Sequence, residues 1–409
     1  MNATCKFAIV GGGLAGLAAA NALKMVGLQA EVFETAPELG EIGASVNISP
    51  QAVKALRAIG VGEAIAAVGH ESPGPYTRAM QTGEFLQATD RLAVKDKYGA
   101  PYYSFHRADL IDALAKTLDP ARIHLGHRLS GLVEADDHVT LNFQNGASVD
   151  ADYVIGADGV KSAVREALYG EDRPAYTGQM VWRALLKTED VPEEAIEPRG
   201  HTQWVGPGRH LIAYKIRQGK LVNVVSQVDT DEWVEEGWSI KGDPADMRAS
   251  FPGAEPRLAK LLDCVGECTK WGLFTRPIND NWGRGRIQMI GDAAHAMLPS
   301  AGQGAAMAFE DAYILGRWLG AVEDPVEAFA EFRRIRIPRV HGVQRLSLAN
   351  KDFKHMKDSA RQKEAIKAGT GSVHGKIDWV WGFDPAAEWD RMPDVPPVYA
   401  DPAPAAAAS

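Results

Sequence analysis

The alternation of apolar and polar positions at the start of the chain predicts a strand, a helix and a second strand. Residues 6–10 form an apolar run that is typical of a buried strand. Residues 14–26 have the Ala/Leu-rich pattern of a helix that ends at Gly27, and residues 29–33 predict the next strand. Together these segments have the length of one βαβ unit, about 30 residues.

Strand and helix patterns continue through the middle of the chain. Residues 50–59 predict a helix that ends at a glycine, and residues 106–110 begin another helix. Residues 123–149 predict a strand and a hairpin that turns at an Asn-Gly pair. Residues 154–159 predict a buried strand that ends in a glycine turn.

The second half of the chain has a strand-rich segment followed by a helical one. Residues 181–228 alternate between apolar and polar positions and predict an antiparallel sheet that faces the substrate. Residues 303–366 have helical patterns, and we expect an interruption around Pro338 because proline lacks the backbone N–H. The Pro/Ala-rich residues 393–409 predict a disordered tail.

Composition and charge exclude several classes of partner. The chain has 409 residues and a net charge of −9, which argues against a protein that binds the nucleic-acid backbone regardless of sequence. No apolar run approaches the roughly 18 residues of a membrane span, so no membrane partner is expected. The chain starts directly with a strand and leaves no room for a signal peptide. The three cysteines form no CxxC or zinc-ligand pattern, which favours free thiols in a cytoplasmic protein and no metal site.

The first candidate for chemistry is the glycine loop after the first strand. Gly11, Gly13 and Gly16 have the GxGxxG spacing, in which the glycines permit a tight turn, close approach of a pyrophosphate, and close helix–strand packing. The helix that starts at Leu14 and Ala15 points free N–H groups and its positive dipole end at the phosphates. The loop therefore predicts a dinucleotide site.

Glu34 follows the second strand, where a carboxylate can accept a hydrogen bond from the adenosine ribose. An acidic residue at this position would repel a 2′-phosphate. The glycine loop and Glu34 alone do not separate FAD from NAD.

A second Gly-Asp segment follows another apolar strand, at residues 287–290. Asp292 can reach sugar hydroxyls there, and a cofactor long enough to need both segments is FAD rather than NAD. The tight loop after it leads into a helix whose N-terminal amides would stabilise negative charge on a reduced flavin. His295 has two possible roles, a structural one, which we favour, and a mechanistic one. The predicted flavin-binding residues of this loop are Pro299, Gly302, Gln303 and Gly304.

Three motifs together resemble the FAD-dependent aromatic hydroxylases, the single-component flavoprotein monooxygenases. They are GGGLAG (residues 11–16) with Glu34, GADGVKSAVR (residues 156–165) and GDAAHAMLPSAGQG (residues 291–304). Their order and spacing match the family over about residues 5 to 345.

The resemblance implies a mixed α/β fold, in which a Rossmann-like FAD-binding domain of the glutathione-reductase type is interrupted by a β-sheet substrate domain. A helical C-terminal region would follow. The expected boundaries are residues 1–75, 100–180 and 270–345 for the FAD-binding domain, 76–99 and 181–269 for the substrate domain, 346–392 for the C-terminal segment and 393–409 for the tail.

The resemblance also assigns roles to individual residues. Glu34 would bind the adenosine ribose, Arg107 would contact FAD, and Asp292 would bind the ribityl chain. Asp158 and Gly159 are associated in the family with both FAD and NAD(P)H binding. The chain has no second GxGxxG fingerprint for the nicotinamide cofactor, and NADH is favoured over NADPH.

Two further segments resemble the salicylate and hydroxynicotinate hydroxylases, HRADL (residues 106–110) and DWVWGFD (residues 378–384). The chain has Asn47 where hydroxynicotinate hydroxylases carry a histidine that has been proposed as a base. Since asparagine cannot take up a proton, a shared base is in doubt and the ring substrate stays open.

The implied reaction consumes NAD(P)H and O₂ and hydroxylates a small aromatic acid through a flavin C4a-hydroperoxide. Tyr214 and His210 are the candidate catalytic residues, because they flank an alternating strand and a base or proton relay would help to ionise a phenol. Asn47, Arg183 and Tyr214 are the candidate substrate contacts, and Arg209 is a further candidate partner of a substrate carboxylate. The protein is expected to be a monomer or a homodimer.

Three alternatives use the same sequence features differently. An FAD-dependent epoxidase or an isoprenoid double-bond reductase would share the fold. A flavin-binding carrier without turnover would show a broken flavin loop, whereas the loop here is intact. An NAD-only dehydrogenase would leave the second Gly-Asp segment without a purpose.

Overall fold

The computed structural model describes residues 3–40, 45–171, 174–231, 240–369 and 377–391. Its strands form two eight-stranded sheets and one three-stranded sheet. They are β1 (Ala3–Val10), β2 (Glu31–Phe33), β3 (Ser45–Ile48), β4 (His70–Glu71), β5 (Tyr76–Ala79), β6 (Phe85–Ala88), β7 (Tyr103–His106), β8 (Ile123–His124), β9 (Leu129–Glu134), β10 (Val139–Phe143), β11 (Ser148–Gly156), β12 (Ala175–Lys187), β13 (His201–Gly206), β14 (Arg209–Ile216), β15 (Leu221–Asp229), β16 (Ile240–Gly242), β17 (Cys268–Thr275), β18 (Gly283–Arg284) and β19 (Ile287–Met289).

Helices lie between and around the sheets, so the predicted mixed α/β class is confirmed. They are α1 (Leu14–Met25), α2 (Pro50–Ala58), α3 (Gly62–Val68), α4 (Val94–Tyr98), α5 (Arg107–Ala115), α6 (Ala163–Tyr169), α7 (Pro244–Ala249), α8 (Pro256–Asp263), α9 (Asp292–His295), α10 (Gly304–Ala321), α11 (Pro325–Lys354), α12 (Ser359–Lys367), α13 (Asp378–Trp381) and α14 (Pro385–Trp389). None of the described helices is both long and apolar enough to cross a membrane.

The first large sheet brings four strand ends to one edge. Its order is β18-β19-β11-β1-β2-β8, and β9 and β10 extend it beyond β11. β1 pairs in parallel with β2 and β11, and β11 pairs in parallel with β19. Val10 lies opposite Phe33 and Gly156, and Gly156 lies opposite Met289. The loops that follow these four strands therefore meet at the carboxyl edge, where open parallel sheets bind ligands.

The second large sheet has the order β16-β17-β12-β15-β14-β13-β5-β6 and presents two different faces. On one face, Trp182 and Trp204 belong to an apolar core that includes residues of α7 and α8. On the other face, Val181 and Trp271 pack with Leu298, which lies just before the Pro299–Ala301 turn. This second face is therefore directed toward the segment that leads into α10.

Several predicted elements are confirmed with small shifts of their ends. The hairpin between β10 and β11 turns at Gly146, which has a φ of 85°, and residues 181–228 form antiparallel strands as predicted. The second strand starts at residue 31 rather than 29, and the helix α2 ends at residue 58 rather than 59. The predicted tail at 393–409 lies outside the described residues, and the domain boundaries stay a prediction.

The predicted interruption around Pro338 is wrong. α11 runs through Pro338 without a break, and the helical region is instead interrupted at residues 322–324 and 355–358. Proline removes one intrahelical hydrogen bond, but the helix is held on both sides of it by Arg336 and Arg339, whose side chains are fully buried and paired with Glu310. Tertiary contacts therefore outweigh the local preference.

Candidate functional site

A cavity of about 510 Å³ lies at the carboxyl edge of the first sheet. It is enclosed by the loops after β1, β2, β11 and β19, together with the starts of α1, α5 and α10. The structure thus brings together residues that are far apart in the sequence. The predicted cofactor residues that line it are Gly11, Gly13, Leu14, Ala15, Glu34, Arg107, Asp158, Gly159, Asp292 and Gly304.

The glycines of the first loop fit a pyrophosphate in different ways. A Cβ on Gly16 would lie 1.9 Å from the carbonyl oxygen of Gly11, so Gly16 acts by allowing the turn to pack on the helix. Gly11 has a φ of 109°, and a Cβ there would lie 2.4 Å from the carbonyl oxygen of Ala157. Gly13 lines the cavity, and a Cβ there would meet no protein atom within 4 Å. The space that Gly13 leaves open is thus available to a ligand.

Glu34 lines the same cavity and binds two backbone N–H groups beside it. Its Oε2 accepts a hydrogen bond of 2.6 Å from the Gly12 N–H, and its Oε1 accepts one of 2.8 Å from the Ala36 N–H. The carboxylate therefore fixes the glycine loop against the loop after β2 while it lines the space expected for a ribose.

We expect Glu34→Ala to weaken FAD binding by about 10- to 100-fold, because each hydrogen bond to a charged group contributes about 1.5–3 kcal/mol. Titration of the apoprotein with FAD, followed by flavin fluorescence, measures the effect. Glu31→Ala is the matched control, since Glu31 begins the strand that Glu34 follows and pairs with Arg122 and His124 outside the cavity. An Ala variant at Glu34 that binds FAD like the Glu31 control would contradict the assignment.

Asp158 sits between the cavity and the start of α6. Its Oδ1 accepts a 2.5 Å hydrogen bond from the Ser162 hydroxyl, and its Oδ2 accepts one of 3.1 Å from the Val164 N–H. Burial raises the pKa of Asp158, although these hydrogen bonds act in the opposite direction. Asp158 thus fixes the turn of the GADG motif as well as lining the cavity.

The buried side chain of Asp311 holds the second Gly-Asp segment in place. The Oδ2 of Asp311 accepts a 3.1 Å hydrogen bond from the Gly291 N–H and lies 2.6 Å from Nε2 of His295. Burial alone would raise the pKa of Asp311, but the charges of His295 and Arg336 outweigh it and lower the pKa to about 2. His295 is thus part of a buried network that positions the segment.

This network extends into α11 through buried ion pairs that the sequence did not reveal. Arg336 contacts Asp311 at 2.8 Å and Glu310 at 2.6 Å, and Arg339 contacts Glu310 at 2.7 Å. All four side chains are almost completely excluded from solvent. The pattern along α11 mixes these arginines with exposed ones, so spacing alone gave no signal.

The loop before α10 is fixed mainly by contacts to other elements. Gln303 accepts hydrogen bonds from the Ser49 hydroxyl at 3.1 Å and from the Gln51 amide at 2.7 Å. Gly302 has a φ of 65°, which favours glycine. Gly304 lines the cavity. Four other predicted cofactor residues do not, namely Gly16, Pro299, Gly302 and Gln303, and their contacts with FAD stay a prediction.

Tyr214 and Asn47, two of the candidate substrate contacts, lie next to each other. The Tyr214 hydroxyl lies 2.7 Å from the Ser45 hydroxyl and accepts a 3.3 Å hydrogen bond from the Asn47 amide. Burial raises the pKa of Tyr214, although the contact with Ser45 lowers it in part. The phenol is therefore protonated at neutral pH and can donate a hydrogen bond.

His210 lies four residues from Tyr214 along β14, about 13 Å away on the same face of the strand. Its Nδ1 lies 3.0 Å from Nε2 of His355, whose Nδ1 lies 2.5 Å from Asp229. Burial, and to a lesser degree the charge of Lys354, lowers the pKa of His210 well below its ordinary value. His210 is therefore neutral at pH 7.

The two candidate arginines lie in different places. Arg183 shares the face that carries Val181, and its guanidinium stacks on Trp271 with Cζ 4.6 Å from the ring centroid. Arg209 donates to the Ser250 carbonyl instead. His201, which no sequence motif singles out, is fully buried beside Tyr214 with ring centroids 5.2 Å apart.

A second, smaller cavity lies against this sheet, and we call it the sheet cavity. It has a volume of about 100 Å³. Its walls are formed by Gln203 and Val205 of β13, by Ser300 and Ala301 of the loop before α10, and by the last residues of α11. One wall therefore comes from the second sheet and another from the segment that carries the flavin motif.

Comparison with known proteins decides the family. Residues 4–344 match the model of the family described as FAD binding domain. The chain belongs to this family. Membership in this family confirms the predicted FAD cofactor. The large cavity, at the carboxyl edge of the first sheet, has the glycine loop and the polar side chains that FAD requires.

Curated relatives span nearly the whole flavoprotein. It is 34% identical over 391 residues to the 3-amino-4-hydroxybenzoate 2-monooxygenase of Streptomyces platensis. The aligned residues cover 94% of this chain and 98% of the relative. It is 35% identical over 357 residues to the 6-hydroxynicotinate 3-monooxygenase of Pseudomonas fluorescens, with coverage of 86% and 92%. A solved salicylate hydroxylase substrate complex has a TM-score of 0.78 at 27% identity and covers 98% of this chain and 99% of that one.

These relatives confirm the predicted class: the flavoprotein is a monooxygenase of the aromatic hydroxylase family. Its relatives do not favour the alternative of an epoxidase or a double-bond reductase.

Proposed function

We propose that this flavoprotein hydroxylates a small aromatic acid with NADH and O₂. The observation that carries the proposal is the position of the sheet cavity, between the second sheet and the residues Ser300 and Ala301 of the flavin motif. A ring bound there would lie beside the flavin loop, against the face of the sheet that carries Tyr214 and His210, although neither of these side chains lines the cavity itself. The names of the relatives, which act on hydroxybenzoates, hydroxynicotinate and salicylate, support the same substrate class.

FAD held in the large cavity would supply the redox chemistry, namely hydride transfer from NADH and activation of O₂. The residues of the chain then have to hold the cofactor, orient the ring, exclude water and manage one proton. We assign the cofactor role to the residues that line the large cavity. We propose NADH as the electron donor, and the chain has no second dinucleotide fingerprint that would hold it outside the FAD site.

Proton management falls to Tyr214 and His210. Tyr214 stays protonated and is held by Ser45 and Asn47, so it can orient a substrate oxygen. We assign His210 the role of accepting the proton of a phenol, whose loss raises the electron density of the ring; His210 is neutral, as this role requires, but its burial also weakens it as a base. His355 and Asp229 continue the hydrogen-bonded chain from His210, so a proton taken up there has a path.

The location, the oligomeric state and the remaining residue roles are proposed as well. The protein works in the cytoplasm as a monomer or a homodimer, with O₂ and one small aromatic acid as its partners. Arg183 is assigned a substrate role together with Asn47, since Arg183 lies on the sheet face directed toward the flavin loop and Asn47 contacts Tyr214.

The test is turnover by the purified protein reconstituted with FAD. NADH oxidation is measured with 3-amino-4-hydroxybenzoate, 6-hydroxynicotinate, 3-hydroxybenzoate and salicylate, and products are identified by mass spectrometry. We expect one acid to accelerate NADH oxidation and to gain one oxygen atom. Stimulation by none of them, with hydrogen peroxide as the sole product, would argue against the proposal.

We expect Tyr214→Phe to lower the rate of product formation by about 10²-fold, because the variant loses the group that orients the reacting oxygen. The yield of product per NADH should fall as well, which separates this role from a loss of FAD. Tyr76→Phe is the control, because Tyr76 lies on the same sheet as Tyr214 but faces its other side. Its neighbour Thr77 lines the sheet cavity, and successive residues of a strand point to opposite faces. Equal rates in both variants would remove Tyr214 from the mechanism.

A further inference from the structure

The sheet cavity has an unusual charge pattern. Its lining includes the two cationic side chains Arg91 and Lys354, and the described residues contribute no Asp or Glu to it. A cavity with two positive groups and no carboxylate favours an anionic ligand, because like charges in a region of low dielectric repel each other.

Arg91 carries hydrogen-bond donors that lack a protein acceptor. Its Nε and Nη1 are buried, and neither has a hydrogen-bond partner among the described residues. The guanidinium is held in place by stacking, with Cζ 4.1 Å from the centroid of the Tyr102 ring. Since a buried N–H without a partner is costly, an acceptor from a ligand is expected at this position.

Lys354 reaches the cavity from the last turn of α11. Its Nζ donates a 3.2 Å hydrogen bond to the Ser300 carbonyl, which leaves two of its three N–H donors for other acceptors. Burial lowers the pKa of Lys354 to about 8, and the charge of Arg91 contributes to the decrease. The two cations therefore affect each other, which places them in one electrostatic environment.

A third donor comes from the flavin loop. The Ser300 hydroxyl is buried and has no hydrogen-bond partner among the residues that the structure describes. Ser300 lines the same cavity and sits in the turn before α10. Donors without a protein acceptor therefore enter the sheet cavity from three segments: the loop that carries Arg91, the end of α11 with Lys354, and the turn before α10 with Ser300.

The rest of the lining suits a flat ring. Tyr102 and Trp381 lie with ring centroids 5.5 Å apart, and Phe353 and Ile377 add apolar surface. Aromatic and aliphatic walls around a few convergent polar groups are typical of sites for small aromatic ligands.

We propose that Arg91 and Lys354, assisted by the Ser300 hydroxyl, bind the carboxylate of the aromatic acid and thereby select acids over neutral phenols. The proposal rests on the proposed function, since the ligand is the substrate of that reaction. Arg91 and Lys354 are specificity-determining residues, and neither is required to take part in the oxygen transfer.

The experiment measures binding rather than turnover. The FAD-loaded enzyme is titrated with the same four acids and with the primary amide of each, and binding is followed by the change in flavin absorbance. The amide keeps the ring and the phenol and loses only the charge of the carboxylate. Arg91→Met and Lys354→Met are compared with the conservative variants Arg91→Lys and Lys354→Arg.

We expect the wild-type enzyme to bind at least one acid about 10²-fold more tightly than its amide. Arg91→Met and Lys354→Met should each lose most of that difference and bind the amide as the wild type does, whereas the conservative variants should recover part of it. Lys351→Met is the matched control, because Lys351 lies one turn earlier on α11 and does not line the cavity. FAD content and melting temperature show whether each variant is folded.

The outcomes separate this inference from the proposed function. An unchanged ratio of acid to amide affinity in both Met variants overturns the inference, even if the enzyme hydroxylates an acid. A wild-type enzyme that binds amides as tightly as acids, or binds no acid, overturns it as well. Acid binding that is lost in Arg91→Met, without hydroxylated product in any assay, supports the inference and removes the proposed reaction.

Discussion

Arg336→Met should lower the free energy of unfolding by about 3–5 kcal/mol, the cost of breaking a buried ion pair while its partners stay buried. Arg336 is fully buried and neutralises both Glu310 and Asp311, so its loss leaves two carboxylates with incomplete compensation. Urea unfolding at a fixed FAD concentration measures the change, since bound cofactor itself adds stability.

The matched control lies on the same helix. Arg334 forms an exposed pair with Glu331, and Arg334→Met should change stability by about 0–1 kcal/mol. Arg336→Met should also weaken FAD binding, because Asp311 holds the Gly291 N–H and His295 in the second cofactor segment. A stability loss in Arg336→Met no larger than that of the control would show that Arg339 and His295 alone satisfy the carboxylates.

The second large effect is expected at the glycine loop, where two substitutions by alanine should fail for different reasons. Gly13→Ala should raise the dissociation constant of FAD by about 10- to 100-fold, because the methyl group enters the space for the pyrophosphate at an overpacking cost of about 1–3 kcal/mol. The apoprotein should melt as the wild type does, since a Cβ at Gly13 meets no protein atom within 4 Å.

Gly16→Ala should instead destabilise the apoprotein, because its Cβ would lie 1.9 Å from the Gly11 carbonyl oxygen. Thermal unfolding without FAD and fluorescence titration with FAD distinguish the two variants. If Gly13→Ala bound FAD with wild-type affinity, the pyrophosphate would have to lie elsewhere in the cavity.

The sequence predicted most of the residues that meet at the carboxyl edge of the first sheet, because they belong to local motifs. The spacing of Gly11, Gly13 and Gly16, the acidic Glu34 and the later Gly-Asp pair each follow a strand, and parallel strands carry such residues to one edge. A motif of this kind can be recognised within a few residues.

The lining of the sheet cavity could not be predicted in the same way. Arg91, Ser300 and Lys354 meet through the packing of a loop, a turn and the end of a long helix, and no spacing in the sequence relates them. The same holds for Glu310 with Arg336 and for the unbroken helix through Pro338. In these places the tertiary partner decides the structure, and local propensity does not reveal it.

The long helix α11 has a consequence for efforts to change substrate preference. Arg336 near its middle supports the cofactor segment, and Lys354, about 27 Å farther along the axis, reaches the sheet cavity. Asn350 and Lys354 also both donate to the Ser300 carbonyl. Transplanting the last two turns of α11 from a relative would therefore disturb the Pro299–Ala301 turn, and a functional chimera has to exchange the turn and the helix end as one unit.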